Sequence, residues 1–354
     1  MSEFLEIDGS VLEGGGQLLR TTISLSAILG IPVRVTNIRA KRNKPGLAAQ
    51  HLIGIKLVAD MCGAKLRGDN IGSTEIQFIP GKRIKRGHYV ADTRTAGSIS
   101  LLMQVALPCA LMADGPVTLD LKGGTNADMA PQIEYMTEVF RNVLKLFGAT
   151  FDMTVHRRGY YPKGGGFVTV EVAPIHKFVA TKVMERGFVS KIYGWSFVAG
   201  TLPMRVCVPE VGRLGLLWAS LALQEHVKQS VLGVIRIPMT VSTNAYSGLL
   251  LRNSTRKNPT TLCPTWESNP GSHDQQSRLP PLDERSIIIY MALAEGRSFM
   301  RVGDITLHTK TGIYIAELIT KFDIVEDGSQ NVIQCTGLRV LNRHHPNHIP
   351  EQRY

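Results

Sequence analysis

Residues 18–33 read Leu18-Leu19-Arg20-Thr21-Thr22-Ile23-Ser24-Leu25-Ser26-Ala27-Ile28-Leu29-Gly30-Ile31-Pro32-Val33, and the order of elements they encode decides the fold. Apolar groups at 18, 22 (the Thr22 methyl), 25 and 29 recur at helical spacing, and Gly30 with Pro32 stops the helix and opens a strand. The same helix, glycine, strand order recurs three more times. Gly63 closes a helix from about Leu47, Gly115 one from about Ser98, and Gly148 one whose stripe is Met136, Phe140, Val143 and Phe147. The glycines lie 33 residues apart within each pair, and the pairs are offset by 85, so a two-helix, multi-strand unit is duplicated. A shortened third copy is expected over Ile287–Val332, with helices around Ile288–Glu295 and Thr311–Ile319. Such a pattern predicts an α/β protein with helices layered on sheets.

A second stretch carries chemistry. Arg158-Gly159-Tyr160-Tyr161-Pro162-Lys163-Gly164-Gly165-Gly166-Phe167-Val168 places three glycines before alternating apolar residues. Glycine costs stability in a strand, so a triple run signals positive φ, close approach to the backbone, or a bulge or turn before an edge strand. Net charge is +11, and it is clustered. Arg34, Arg39, Lys41, Arg42 and Lys44 lie in eleven residues without an acid; Lys82-Arg83-Ile84-Lys85-Arg86 and His156-Arg157-Arg158 form two more clusters. Beside glycine-rich strings, these fit phosphate handling, because Arg and Lys supply charge while bare N–H groups approach phosphate oxygens. No aromatic residues interleave with them, so a base-stacking platform is not expected. Five scattered cysteines (Cys62, Cys109, Cys207, Cys263, Cys335) without C-x-x-C spacing indicate neither a disulfide framework nor a zinc site, and point to a reducing compartment. The first residues carry no signal-peptide pattern, and no run of about 18 apolar residues occurs, so a soluble, non-secreted protein is expected.

The R-G-x-x-P-x-G-G-G-x-V string resembles the signature of the RNA 3′-terminal phosphate cyclase family. Glu13-Gly14-Gly15-Gly16-Gln17-Leu18-Leu19-Arg20 is similar to its E-G-G-G-Q-x-x-R motif, and Ile38 to Leu47 with Gln50-His51 to its I-R-x-x-R-x-x-P-G-L-x-x-Q-H motif. Gly123-Gly124-Thr125-Asn126, Pro131 and Leu307-His308-Thr309 follow in the family's order. The resemblance covers about residues 1–204 and 286–342. It implies a three-fold repeat core of two-helix, four-stranded-sheet units, related to the enolpyruvate transferase fold, with a smaller inserted domain. Residues 1–182 and 286–342 would form the core, 183–285 the insert, irregular or disordered over 252–282, and 343–354 a disordered tail.

The activity implied is ATP-dependent conversion of an RNA 3′-phosphate into a 2′,3′-cyclic phosphate, with ATP and Mg²⁺ or Mn²⁺ as cofactors and RNA with a 3′-phosphate end as partner. A nuclear location, with the cytoplasm second, is implied too. His308 matches the family's nucleophile, which accepts AMP when unprotonated and held in line with the α-phosphorus. Glu13 is the expected metal carboxylate. Gln17 and Gln104 would complete the nucleotide contacts, although Gln104 fits a buried helical glutamine equally well. Arg20, Arg39 and Arg42 are the expected phosphate-binding arginines, Gln50 and His51 would point at the site from a helix opening after Pro45-Gly46, and Pro131 would stack on adenine.

Three departures stand out. Leu282, Arg285 and Ser286 occupy positions where the family carries tyrosine, aspartate and glutamine. Upstream, Val208–Val234 reads as one or two apolar helices, followed by β-branched residues. Arg252–Pro281 then contains five prolines, with many Ser, Asn and Gln, and reads as an atypical exon or non-coding sequence carried into the chain. Two other functions are weighed: a non-catalytic cyclase-like protein in ribosomal RNA processing, against which His308 argues, and an enolpyruvate transferase, which lacks the triple-glycine signature. A folded but inactive cyclase overlaps the first reading.

Overall fold

The computed structural model describes residues 4–127, 130–184, 189–194, 240–243, 266–268, 286–303, 305–318, 320–327 and 330–347. Contacts divide the chain into one unit of residues 1–184 and 282–354 and another of 185–281.

In the first unit the repeat read from the sequence is a repeat of topology. The first copy runs β1 (Leu5–Asp8), α1 (Gly16–Leu29), β2 (Val33–Thr36), α2 (Ala49–Cys62), β3 (Lys65–Arg67), β4 (Ile76–Ile79), and its sheet has the order β1-β2-β4-β3. The second runs β5 (Gly87–Asp92), α3 (Ile99–Leu111), β6 (Val117–Gly123), α4 (Ile133–Tyr135), a π turn over Met136–Phe140, α5 (Arg141–Leu146), β7 (Asp152–Arg157), β8 (Gly166–Val172), with the order β5-β6-β8-β7. The third opens with β9 (Lys182–Val183).

The other unit interrupts this third copy directly after its first strand. Its described strands, β10 (Val189–Gly194), β11 (Thr240–Thr243) and β12 (Trp266–Ser268), form an antiparallel sheet in the order β11-β10-β12. β12 lies within the stretch expected to be irregular. The apolar helices expected over 208–234, like Leu282 and Arg285, lie outside the described residues.

The third copy resumes with α6 (Ile288–Leu293), β13 (Arg297–Val302), α7 (Leu307–Glu317), β14 (Lys321–Asp327) and β15 (Gln330–Thr336). Its order, β9-β13-β15-β14, repeats that of the other two sheets. In every copy the first strand is parallel to the second, and the fourth is antiparallel to both the second and the third. The fold is thus α/β with three two-helix, four-stranded units, as expected.

Local chemistry explains the breaks. Gly30, Gly63 and Gly148 follow their helices at φ 70°, 66° and 78°, the left-handed conformation that closes a helix at glycine without Cβ strain. Gly115 departs from that pattern, because α3 already ends at Leu111 and Met112 is its cap. Its hydrogen side chain makes room for Arg86, whose Cδ lies 2.8 Å from where a Cβ would stand. The stripe Met136, Phe140 and Phe147 is buried as expected, but the π turn adds a residue and brings Leu144 into the core, leaving Val143 partly buried.

Tyr290, fully buried on α6, packs its ring against Phe140 and Phe147 of the second copy and Phe178, with centroids 5.9, 6.2 and 5.3 Å away. Such contacts add roughly 0.5–1.5 kcal/mol each beyond area burial, and they hold the third copy against the second. At the C-terminus, His345 Nε2 lies 3.3 Å from the Pro174 carbonyl and its ring meets His176 edge-on, so the first residues of the expected disordered tail are anchored to the core. No helix among the described residues is long and apolar enough to cross a membrane.

Candidate functional site

The site grows from helix N-termini. α1 begins at Gly16, α2 at Ala49, α3 at Ile99 and α7 at Leu307, and none carries an acid in its first turn. Ser98 and Thr306 cap α3 and α7 through their side chains, and the positive dipole ends of the four helices, whose first turns supply no carboxylate of their own, suit anions. Helix α1 packs against α2, α3 and α7, which gathers chain segments distant in sequence.

Glu13, in the β1–α1 loop, pairs with His308 Nδ1 through one carboxylate oxygen and with the Arg42 guanidinium at 2.7 Å through the other. Its backbone N–H reaches Thr311 Oγ1 of α7 at 3.4 Å. The helix expected from about Thr311 begins earlier and His308 stands in the first turn of α7, because Thr306 caps that helix and accepts from the Thr309 N–H at 3.1 Å. With Nδ1 turned to Glu13, Nε2 is the ring nitrogen that this carboxylate leaves unengaged.

Gly15 and Gly16 let this cluster close up. A Cβ on Gly15 would stand 2.6 Å from Glu13 Oε1, and one on Gly16 would stand 2.5 Å from His51 Nε2 and 2.9 Å from Arg20 NH1. The Ala48 N–H donates to His51 Nδ1 at 3.4 Å, so the neutral ring carries its proton on Nε2 and offers a donor toward α1. Burial, reinforced by the Arg20 and Arg39 charges, pushes the His51 pKa down to about 3.

Arg39 sits at φ 53° and donates to the Gly46 carbonyl at 3.0 Å; burial and then the Arg42 charge lower its pKa. With Lys41, Arg42, Asn43 and Lys44 it lines an open groove of about 470 Å³. Gln50 accepts from the Ser98 N–H, at the start of α3, at 3.4 Å. Gln17 is buried on α1, bonded to Thr21 at 3.3 Å and accepting from Arg20 at 3.0 Å. Gln104 donates to Ser286 Oγ at 2.8 Å, the described member of the three departures.

Pro131 lies in the chain between Asn126 and Glu134, where Thr125, Asn126, Glu134 and Arg158 bond one another and Ile133 N–H binds the Thr125 carbonyl at 3.0 Å. The glycine signature ties the two clusters together. Thr125 N–H donates to the Gly159 carbonyl at 2.9 Å, Gly124 N–H to Gly97 at 2.7 Å, and Ile99 N–H to Gly124 at 2.9 Å, beside Ser98 and Gln50. A Cβ on Gly159 would stand 2.2 Å from the Gly166 nitrogen, and one on Gly164 would stand 2.2 Å from the Thr95 carbonyl oxygen. Close approach therefore requires the glycines at 159, 164 and 166, and left-handed backbone requires the one at 165 and, again, that at 164. The strand they open, β8, is central between β6 and β7, where an edge strand was one expected reading.

The basic clusters separate. Arg34 pairs with Glu75 and Glu6 on the first sheet. The Lys82–Arg86 cluster lies where α2 and α3 end: Lys85 N–H binds the Met61 carbonyl, and Asp114 takes Arg83 at 3.3 Å and the Arg86 N–H at 2.6 Å. His51 is the third residue of α2, so eleven residue steps, about 17 Å at 1.5 Å per residue, separate it from that end at Cys62. Cations there face negative helix ends, so this cluster complements dipoles rather than joining the site.

Fold and site together define a three-repeat α/β protein in which helix N-termini, arginines and one histidine–glutamate pair come together from the first and third repeats. The chain belongs to the RNA 3′-terminal phosphate cyclase family, which matches residues 11–325. It is 40% identical over 359 residues to the RNA 3′-terminal phosphate cyclase of Drosophila melanogaster, covering 96% of this chain and 98% of that one. The cyclase of Pyrobaculum aerophilum is 37% identical over 346 residues, covering 94% and 98%. Among solved structures, the enolpyruvyl transferase NikO from Streptomyces tendae aligns at TM-score 0.40 and 11% identity, over 97% of this chain and 49% of that one.

Proposed function

We propose that this chain converts an RNA 3′-phosphate into a 2′,3′-cyclic phosphate at the expense of ATP, with His308 as nucleophile. The observation that carries the reading is the pairing of His308 Nδ1 with Glu13, whose other oxygen holds Arg42, beside helices whose first turns carry no acid. The carboxylate orients the imidazole and stabilises the positive charge it gains as Nε2 attacks. Nε2 bonds to the α-phosphorus, the bond to the bridging oxygen breaks, and pyrophosphate leaves. An RNA 3′-phosphate oxygen then takes the AMP and frees His308. Finally the 2′-hydroxyl oxygen bonds to the 3′-phosphorus and AMP departs.

Arg20, Arg42 and the neutral His51, with the Gly15 and Gly16 N–H groups, would bind the charged oxygens. Arg39 would act beside Arg42, and Gln50 would order the α3 N-terminus next to them. Gln17, Gln104 and Pro131 are the remaining nucleotide-side candidates. Glu13 would be the protein's carboxylate for Mg²⁺ or Mn²⁺. Mg²⁺ normally takes one or two carboxylates plus phosphate oxygens, so Glu13 and the triphosphate would share the cation. A nuclear site of action fits this chemistry of RNA ends.

Intact-mass measurement after incubation with ATP and Mg²⁺ tests the reading. The expected result is a single AMP adduct, labile to acid and stable to alkali, that is absent from His308→Asn. Folded protein without an adduct would instead favour the non-catalytic, RNA-binding reading.

A further inference from the structure

We propose that Tyr161 is a stacking platform for the bases just upstream of the RNA 3′-phosphate, with Arg157, Lys163 and Arg94 taking the adjoining backbone phosphates, an inference that rests on the cyclase reading. Tyr161 is 75% exposed, and it is the one aromatic among the exposed large apolar side chains of the described residues. The basic clusters carry no interleaved aromatics and raise no expectation of a stacking platform, but an aromatic face turned to water in this way is a ready partner for a nucleobase, and stacking tolerates any sequence because every base has a π face.

The ring is presented by a rigid support. Tyr160 and Gly164 form a β-bridge, with the Gly164 N–H donating to the Tyr160 carbonyl at 2.7 Å. Gly164 rests so closely on Thr95 that no Cβ would fit, and Arg157 Nε grips the Gly165 carbonyl at 2.6 Å. Little ordering entropy remains to be lost when a base binds.

Charge complements RNA there. Residues 153–170 contain no acid, and Arg157 and Lys163 are exposed. Arg158 is committed to Glu134 and lies outside the proposed set. Arg94, exposed and held at φ 53°, directly precedes Thr95, on which the hairpin sits. The loop beneath leads into the site, because Ser98 donates to Gln50, the neighbour of His51. RNA whose terminal phosphate lies among the site arginines would therefore pass its preceding nucleotides over this hairpin.

Fluorescence anisotropy with a single-stranded oligoribonucleotide bearing a 3′-phosphate, and with the same strand abasic at its last two positions, tests the idea. Tyr161→Ala is expected to weaken binding of the normal strand roughly 5- to 150-fold, and Tyr161→Phe to keep it. The abasic strand should bind wild type as weakly as the normal strand binds Tyr161→Ala, and show no further loss with that variant. Equal binding of the normal strand by wild type and Tyr161→Ala, or losses that simply add, would overturn the stacking role and leave the cyclase reading intact. Wild-type protein that binds neither strand, or AMP adduct formation that fails in the separate His308 experiment, would overturn the cyclase reading beneath it.

Discussion

Glu13 and His308 face each other across the first and third repeats, carboxylate to imidazole Nδ1, although nearly the whole chain lies between them. One belongs to the loop that opens α1 and the other to the first turn of α7, so their meeting is a product of how α1 packs on α7. Glu13→Gln keeps the shape and removes the charge. A charge-assisted contact of this kind contributes roughly 1.5–3 kcal/mol, so adduct formation should slow by about ten- to a hundredfold, with little change in melting temperature. Single-turnover AMP incorporation measures it; an unchanged rate would remove Glu13 from the chemistry.

Arg42→Ala should impair phosphate handling more than folding. The side chain is 44% exposed and its partner Glu13 retains His308, so no buried charge is stranded. Loss of affinity for 3′-phosphorylated RNA with a melting shift of less than a few degrees is expected. Arg39→Ala should cost more stability, because that guanidinium also holds the Gly46 carbonyl. Melting curves of the two variants separate the roles.

His51 makes stability depend on pH. Its folded pKa, about 3, lies below the ordinary histidine value near 6.5, so between those limits the unfolded chain binds more protons. Stability should be full above about pH 6.5 and fall as pH drops, by roughly 2 kcal/mol at pH 5 from this residue. Denaturant titrations of wild type and His51→Gln at pH 7 and pH 5 should show a smaller loss in the variant.

Gly164 and Gly165 share left-handed backbone, φ 68° and 72°, but differ in surroundings. A Cβ on Gly165 meets nothing within 4 Å, whereas one on Gly164 runs into the Thr95 carbonyl at 2.2 Å. Gly165→Ala should cost about 1–2 kcal/mol from backbone strain alone. Gly164→Ala should cost clearly more, and should loosen the hairpin that carries Tyr161. Equal melting shifts would mean that the Thr95 contact is easily relieved.

Much of the architecture was legible in order alone. Helix stripes and closing glycines are local devices, so Gly30, Gly63 and Gly148 marked their boundaries before any tertiary contact was known, and the spacing of the glycines exposed the duplication. Signature strings likewise marked Glu13, Arg42, His51 and His308 as one set. What local pattern could not supply was direction and company. The Lys82–Arg86 cluster looked like part of a phosphate site until the length of α2 put it at the opposite helix ends.

Strand pleat decided Phe167 in the same way. It lies on the face opposite the buried Val168, Val170 and Val172, half-buried against His156, with ring centroids 4.5 Å apart. Sequence by itself determined which residues are special, because propensity, periodicity and glycine's missing Cβ act within a few residues. Only the tertiary structure decided which of them meet, because Glu13 with His308 is a contact across repeats, while Gly159 with Gly123 and Gly166, and Thr95 beneath Gly164, are contacts between segments distant in sequence within the second repeat.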